Sequence, residues 1–400
     1  MTSSTAVITR RISRFLSPGR APVFVLLAAL WGCASPALDR HVIDQLPPLQ
    51  HRGASLSVAD VADRVPSVDL LAVDEDMRQF VARYTAGQDN SRLRLMSLHQ
   101  AVRGAGGLDM QYDPFADGTA REVFRRRVAN CLSYANLFIA LAREADLEAN
   151  YQWVEVRPQW SRISERVQVG LHVNVSVRLR DGKTYMVDID PLPSTDISGS
   201  RLLTDAQGKA LYYNNIAMTA LAKGELETAW LHEVRALQLS PDDAHLWANL
   251  GAVYRSTGQH REAEQSYLQA LELDFTEYSA MTNLAVLYGL EGRVEERDYW
   301  LERVETHRRY NPYYHAWLGD EVAAKGDWAA ALEHYQQAVA LAPGDSNLVF
   351  SRGLIYYQLK DYEAAARDME EAINLATMHS DIALYQLQLE AVREAQLVGI

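Results

Sequence analysis

The sequence predicts an α+β domain followed by an all-α solenoid of short repeats. Two observations carry this. Between residues 119 and 191 an apolar helical run gives way to segments that alternate with a period of two, and from Ala210 onward residues of like size recur every 34 positions. Periods of 3.6 and 2 in succession indicate a helix against a sheet, and a fixed period of 34 indicates stacked helix pairs. At 400 residues the chain is too long for one compact domain, so two or three are expected.

Composition bounds the function. Nearly half of the residues (48 %) are apolar and 23 % are charged, which suits globular rather than disordered chains. The formal charge is −13, and the four arginines and no acid of residues 1–32 leave −17 on the remainder. An acidic body of this kind disfavours nucleic acid and repels anionic lipid surfaces, so no nucleic-acid partner is expected.

Residues 1–32 read as a signal peptide. Arg10, Arg11, Arg14 and Arg20 form a basic region, and the apolar run Ala21–Trp31 is too short to span a bilayer as a mature helix. The run ends in Leu30-Trp31-Gly32-Cys33, which resembles the bacterial lipobox. That resemblance implies lipidation of Cys33 as the first mature residue. Ala34 in place of Asp implies a periplasmic protein, lipid-anchored to the outer membrane, whose only contact with the membrane is the lipid. The plainer alternative is an ordinary signal anchor with Cys33 incidental. Residues 33–55, with Pro36, Pro47, Pro48 and Gly53, read as a tether.

Cysteine arithmetic then singles out Cys131. The chain has two cysteines. If Cys33 is acylated, Cys131 has no partner in an oxidising compartment, where an unpaired thiol is a hazard unless it has a task. Its plain reading is a small buried apolar residue.

Residues 56–200 are expected to form the α+β domain. Its start, from Ser57 to about Gly104, is helical: Val58, Val61, Ala62 and Val65 share one stripe, and Met77, Phe80, Val81 and Tyr84 another. Thr119, with Glu122 three residues on, caps a short helix in capping-box fashion. The helix beginning at Cys131 is apolar nearly all round and should be buried. Tyr151–Val156 and Leu171–Leu179 alternate as strands, with His172, Asn174 and Ser176 on one side of the second, and Thr184–Asp190 is its return. A two-residue turn at Asp181-Gly182 predicts that cross-strand partners sum to 363. That register sets Ile189 opposite Asn174, and a one-residue bulge would change which face meets which.

Residues 119–191 resemble the transglutaminase-like superfamily. The resemblance rests on Cys131 at the start of the helix Cys-Leu-Ser-Tyr-Ala-Asn-Leu-Phe-Ile-Ala-Leu-Ala-Arg-Glu, on His172 leading a strand, and on Asp188 sixteen residues later with Pro191 beyond. Asn130 stands where a glycine commonly precedes the cysteine. The resemblance implies a papain-like fold with Cys131 as nucleophile, His172 as base and acid, and Asp188, or alternatively Asp190, orienting the imidazole. It implies acyl transfer through a thioester, to water or to an amine. A helix N-terminus lowers a thiol's pKa and presents free N–H groups, so the Cys131 N–H is one oxyanion donor, with Asn130 or Trp153 as candidate second donors. No cofactor is implied. The eleven histidines lack metal-ligand spacing and no Gly-rich phosphate loop is present, so no metal site is expected.

From Ala210 the series Tyr213, Trp247, Met281; Ala217, Gly251, Ala285, Gly319, Gly353; and Ala236, Ala270, Val304, Ala338, Ala372 all step by 34. The pattern matches the tetratricopeptide repeat. Five units start at Ala210, Ala244, Tyr278, Pro312 and Ser346 and fill residues 210–379, and 380–400 read as a capping helix. The family implies a peptide- or protein-binding groove, for which Asn214, Asn249, Arg255, Asn283, Asp320 and Tyr357 are candidates. Two functions follow: a lipid-anchored cysteine peptidase, amidase or acyl transferase with a protein-binding repeat array, or an inactive scaffold of the same fold that assembles envelope proteins.

Overall fold

The computed structural model describes residues 41–156, 159–160, 167–168, 171–191, 197–376 and 379–398. The expected signal peptide, Cys33 and the first residues of the expected tether lie outside them.

The rest of that tether is not an open linker. It holds α1 (His41–Asp44), the hairpin β1 (Leu49–His51) and β2 (Ala54–Leu56), and leads to α2 (Ala59–Arg64). Arg52 and Gly53 both take positive φ (48° and 81°), the turn that matches a tight hairpin's twist. Leu49 pairs with Leu56, and both are buried beside Ile43, Val61 and Val65 in one cluster with Trp230, Leu237 and Tyr254 of the repeats. The Tyr254 hydroxyl donates to Pro47 O (2.5 Å), and the Gln50 N–H to Gln259 Oε1 (2.8 Å). Residues 56–65, expected in the α+β domain, therefore belong to the repeat core. Burying five apolar side chains outweighs the loop entropy that prolines alone suggested.

The α+β domain runs on from α3 (Glu75–Thr85) and α4 (Ser91–Arg103) through β3 (Gln111–Tyr112), α5 (Ala120–Arg126) and β4 (Val128–Ala129) to α6 (Cys131–Glu144). Thr119 and Glu122 form the reciprocal capping box of α5. Arg127, left-handed at φ 61°, ends that helix and turns the chain into β4. Next come β5 (Glu148–Val156), the short pair β6 (Gln159–Trp160) and β7 (Val167–Gln168), then β8 (Leu171–Arg178), β9 (Thr184–Val187) and β10 (Ile197–Leu203). The main sheet is antiparallel in the order β10-β5-β8-β9. Val173, Val175 and Val177 pack in the core with Phe138, Ile139 and Leu141 of α6. The alternate residues His172, Asn174 and Ser176 are buried too.

The β8–β9 register corrects the expected one. Val175 pairs with Val187 and Arg178 with Thr184, so partners sum to 362. Leu179 N–H donates to Lys183 O (2.8 Å), which makes the loop three residues long with Gly182 left-handed at φ 83°. An even sum puts residues of like parity on one face. His172 and Asp188 therefore share a side, which the odd sum had denied them.

The repeats are five helix pairs: α7 (Asp205–Ala222) with α8 (Leu226–Leu239), α9 (Ala244–Ser256) with α10 (His260–Leu273), α11 (Tyr278–Leu290) with α12 (Val294–Arg309), α13 (Pro312–Ala323) with α14 (Trp328–Leu341), and α15 (Ser346–Gln358) with α16 (Tyr362–Leu375). A final helix, α17 (His379–Val398), buries Tyr385, Leu389 and Val392 in the core of the last two pairs. The first helix is seated directly on the α+β domain. At Gly208 an added Cβ would stand 2.6 Å from the Tyr151 ring, so only glycine lets α7 approach β5 this closely. Arg143 of α6 grips Asp205 with two hydrogen bonds (2.7 and 2.9 Å).

Candidate active site

The site is assembled by three local features. Asn130 caps α6: its Oδ1 accepts from Ser133 N (2.8 Å), which fixes where the helix begins and leaves Cys131 as its first residue. The Cys131 N–H therefore has no acceptor within the helix. The short parallel pairing of β3 with β4 sets Tyr112 beside Ala129, two residues before the thiol. The β8–β9 hairpin delivers His172 and Asp188 from the other side.

Cys131, His172 and Asp188 converge, their Sγ, ring nitrogen and carboxylate oxygen all lying within 4.8 Å of one another. His172 Nε2 is hydrogen-bonded to Asp188 Oδ2, and the Cys131 thiol lies beside the same ring. With Nε2 engaged by the carboxylate, Nδ1 is the nitrogen left for the thiol. His172 and Asp188 are 8 % and 7 % exposed, whereas Cys131 is half-buried and open to the cleft. Burial is the largest single influence on His172 and pulls its pKa down. The hydrogen bond to Asp188, with the nearness of the Cys131 sulfur and the charges of both, overrides it and pushes the imidazole up to about 10. The ring is thus a cation at neutral pH. Asp190 is not the third member: its side chain is exposed, and its backbone N–H instead donates to Asp188 Oδ1 (3.2 Å), holding that carboxylate in place.

Asn130 does not fit the oxyanion role. Its carbonyl oxygen caps α6 and its Nδ2 donates to Asp117 Oδ1 (2.7 Å), so both ends of the carboxamide are engaged. The sequence reading missed Tyr112, which lines the cleft beside Cys131. Partial burial, then the charge of Cys131, pushes its pKa up to about 12, so it stays a donor at neutral pH. A Tyr nineteen residues before a cysteine carries no local signal; only the β3–β4 pairing brings them together.

The cleft at Cys131 has a volume of about 170 Å³. Tyr112, Trp153 and Val173 line it from the α+β domain, and Leu211, Asn214 and Asn215 from α7. The first repeat helix is thus a wall of the cleft. Among the expected groove residues, Asn214 is buried there and accepts from Asn249 Nδ2 (2.7 Å). Arg255 lies against Tyr267, Asp320 accepts from the Tyr335 hydroxyl, and Tyr357 packs on the Tyr362 ring, each contact within its own repeat. Asn283 is half-buried on α11.

Among the described residues, Cys131, His172 and Asp188 are also the group whose donor atoms are close enough to share a metal ion. A catalytic zinc takes three such ligands. In this structure His172 Nε2 and Asp188 Oδ2 are hydrogen-bonded to each other.

The comparisons with known proteins agree with this division of the chain. The transglutaminase-like superfamily matches residues 78–191, and tetratricopeptide repeats match 244–277 and 322–395. The chain is 26 % identical over 140 residues to the photosystem I assembly protein Ycf3 of Rippkaea orientalis, covering 34 % of this chain and 69 % of that one. It is 26 % identical over 216 residues to the cellulose synthase operon protein C of Xanthomonas axonopodis pv. citri, covering 52 % of this chain and 14 % of that one. Similar solved structures include YrrB, described as a TPR protein with an unusual peptide-binding site, at 21 % identity and a TM-score of 0.23 over 45 % of this chain and 92 % of that one. Pseudomonas aeruginosa pilF matches at 19 % identity and a TM-score of 0.25 over 48 % and 88 %. The protein carries a transglutaminase-like domain at residues 78–191, followed by tetratricopeptide repeats over residues 244–395.

Proposed function

We propose that this protein is a cysteine acyl-transfer enzyme whose repeats hold a protein or peptide substrate. The single observation that carries the reading is the meeting of the Cys131 thiol with an imidazole that Asp188 keeps protonated. In the reaction, the thiol proton rests on His172 Nδ1 and the thiolate attacks an amide carbonyl carbon. The Cys131 N–H and the Tyr112 hydroxyl stabilise the oxyanion. The C–N bond breaks as His172 gives its proton to the leaving nitrogen, and a thioester remains. Water, or an amine, then attacks the thioester and returns the proton through His172 to Cys131. The wall contributed by α7 supports a substrate presented by the repeats rather than one that diffuses in alone.

Lipid anchoring in the periplasm belongs to the same proposal and rests on the Leu30–Cys33 segment. Among the described residues no helix is long and apolar enough to cross a membrane.

The test is peptide-resolved labelling of Cys131 with iodoacetamide at neutral pH, together with turnover of a chromogenic ester. Cys131 should react faster than free glutathione, and Cys131→Ala should abolish turnover. Labelling no faster than glutathione refutes the proposal.

A further inference from the structure

A second cavity of about 220 Å³ adjoins the site and shares no lining residue with the Cys131 cleft. His172 and Asp188 form part of its wall, with His99 and Arg103 of α4, Asn174 of β8, and Met186 of β9. Three polar atoms of these residues are buried without a hydrogen-bond partner: Nδ2 and Oδ1 of Asn174, and Nδ1 of His99. Asn174 is only 1 % exposed.

The Tyr134 hydroxyl, close enough to feel the charges of Arg103 and Asp188, is buried without a partner too, whereas other buried polar side chains nearby are bonded. The buried Asn136 donates to Gly118 O (2.8 Å) and accepts from the Tyr151 hydroxyl (2.6 Å), and the buried Ser133 accepts from Gly118 N (2.8 Å). Buried amides are bonded almost without exception, because burial strips their water and returns nothing in exchange. Asn174 lines the cavity, and a carboxamide unpartnered at both ends has the form of a site waiting for its complement.

The chemistry of that complement follows from the two free atoms. Nδ2 donates and Oδ1 accepts, side by side in one plane. A carboxylate would satisfy Nδ2 and the Arg103 guanidinium but leave Oδ1 unpaired. An ammonium group would satisfy Oδ1 but face two like charges, Arg103 and His172, against the one carboxylate of Asp188. A carboxamide or peptide group meets both atoms and leaves its carbonyl oxygen within the field of Arg103. The volume lies below the roughly 300–1,000 Å³ of pockets that enclose whole drug-sized ligands, so one amide-bearing group is the fitting size. We propose that this cavity, built on Asn174, His99 and Arg103, is a binding site for a carboxamide group. The site does not depend on Cys131 being a nucleophile.

The test uses full-length Cys131→Ala, which removes turnover, and follows the Asn174 side-chain NH₂ and His99 ring signals by NMR. The probes are acetamide, acetate and methylammonium, which match in size and differ in what they donate and accept. Acetamide should shift both residues saturably, with a Kd on the order of millimolar for so small a ligand and at least about tenfold below that of either ion. Asn174→Leu should lose the response. Should that variant fail to fold, the ranking of the three probes decides alone. Acetate binding as tightly as acetamide would make Arg103 the determinant and overturn the proposal. The absence of a saturable response to any probe would mean a site for water only, and would overturn it equally while leaving the Cys131 reading intact.

Discussion

Asp188→Asn tests the relay at its centre. The substitution keeps the shape of the side chain and removes its charge. Burial already pulls the His172 pKa down, and the hydrogen bond to Asp188 is first among the influences that reverse it, ahead of the neighbouring Cys131. The displacement from 6.5 to about 10 corresponds to roughly 5 kcal/mol at about 1.4 kcal/mol per pH unit. A single neighbouring charge supplies about 1–3 pH units of such a displacement, or about 1.4–4 kcal/mol. The His172 midpoint, read from its ring proton by NMR, should therefore fall by that amount. The alkaline limb of Cys131 labelling should fall with it. The sign for stability is that of a raised histidine. The native chain holds this contribution in full below pH 6.5 and loses it as pH climbs through about 10. Asp188→Asn should flatten that decline. A midpoint that stays near 10 in the variant would refute the assignment of Asp188 as the partner that keeps His172 charged.

Three further outcomes follow from particular contacts. Tyr112→Phe should lower turnover by about 10²–10³-fold, the loss typical of one oxyanion donor, while iodoacetamide labelling of Cys131 stays close to wild type; an equal fall in both would make the hydroxyl part of thiol activation instead. Glu233 of α8 is fully buried with neither carboxylate oxygen bonded, and burial, then the charge of Asp243, raises its pKa well above 4.5. The fold thus favours its protonated form and loses stability as pH rises from 4.5, so Glu233→Gln should gain about 1–3 kcal/mol at neutral pH by urea unfolding and nothing below pH 4.5. A gain of equal size at low pH would contradict this. Gly208→Ala should cost about 1–3 kcal/mol, because its Cβ would meet the buried Tyr151 ring at 2.6 Å; an unchanged midpoint would show that α7 can retreat from the sheet.

The repeats were legible because their signal is local and multiplied. Each helix pair needs a small residue where two helices cross, and five copies at one spacing repeat the message. The burial of the Cys131 helix was legible for a related reason: a helix apolar nearly all round has no face to give to water. The tether was misread because prolines mask a two-residue hairpin, although Arg52-Gly53 between Leu49 and Leu56 was the available sign. Asn130 was misjudged because a cap residue's free end depends on Asp117, thirteen positions away and not visible as a partner in one dimension.

By itself, then, the chain's order of residues determined which segments are helix, strand or repeat and offered Cys131, His172 and Asp188 as candidates, since propensity, period and capping act over a few positions. Tertiary structure alone decided the three-residue loop at Gly182, whose even register turns His172 and Asp188 to one side. It also decided that Tyr112 stands beside the thiol, that α7 walls the cleft and that Asn174 lines a second cavity. Each of these depends on packing between segments far apart in the chain, where a change of one residue in register or the approach permitted by one glycine sets which groups can touch.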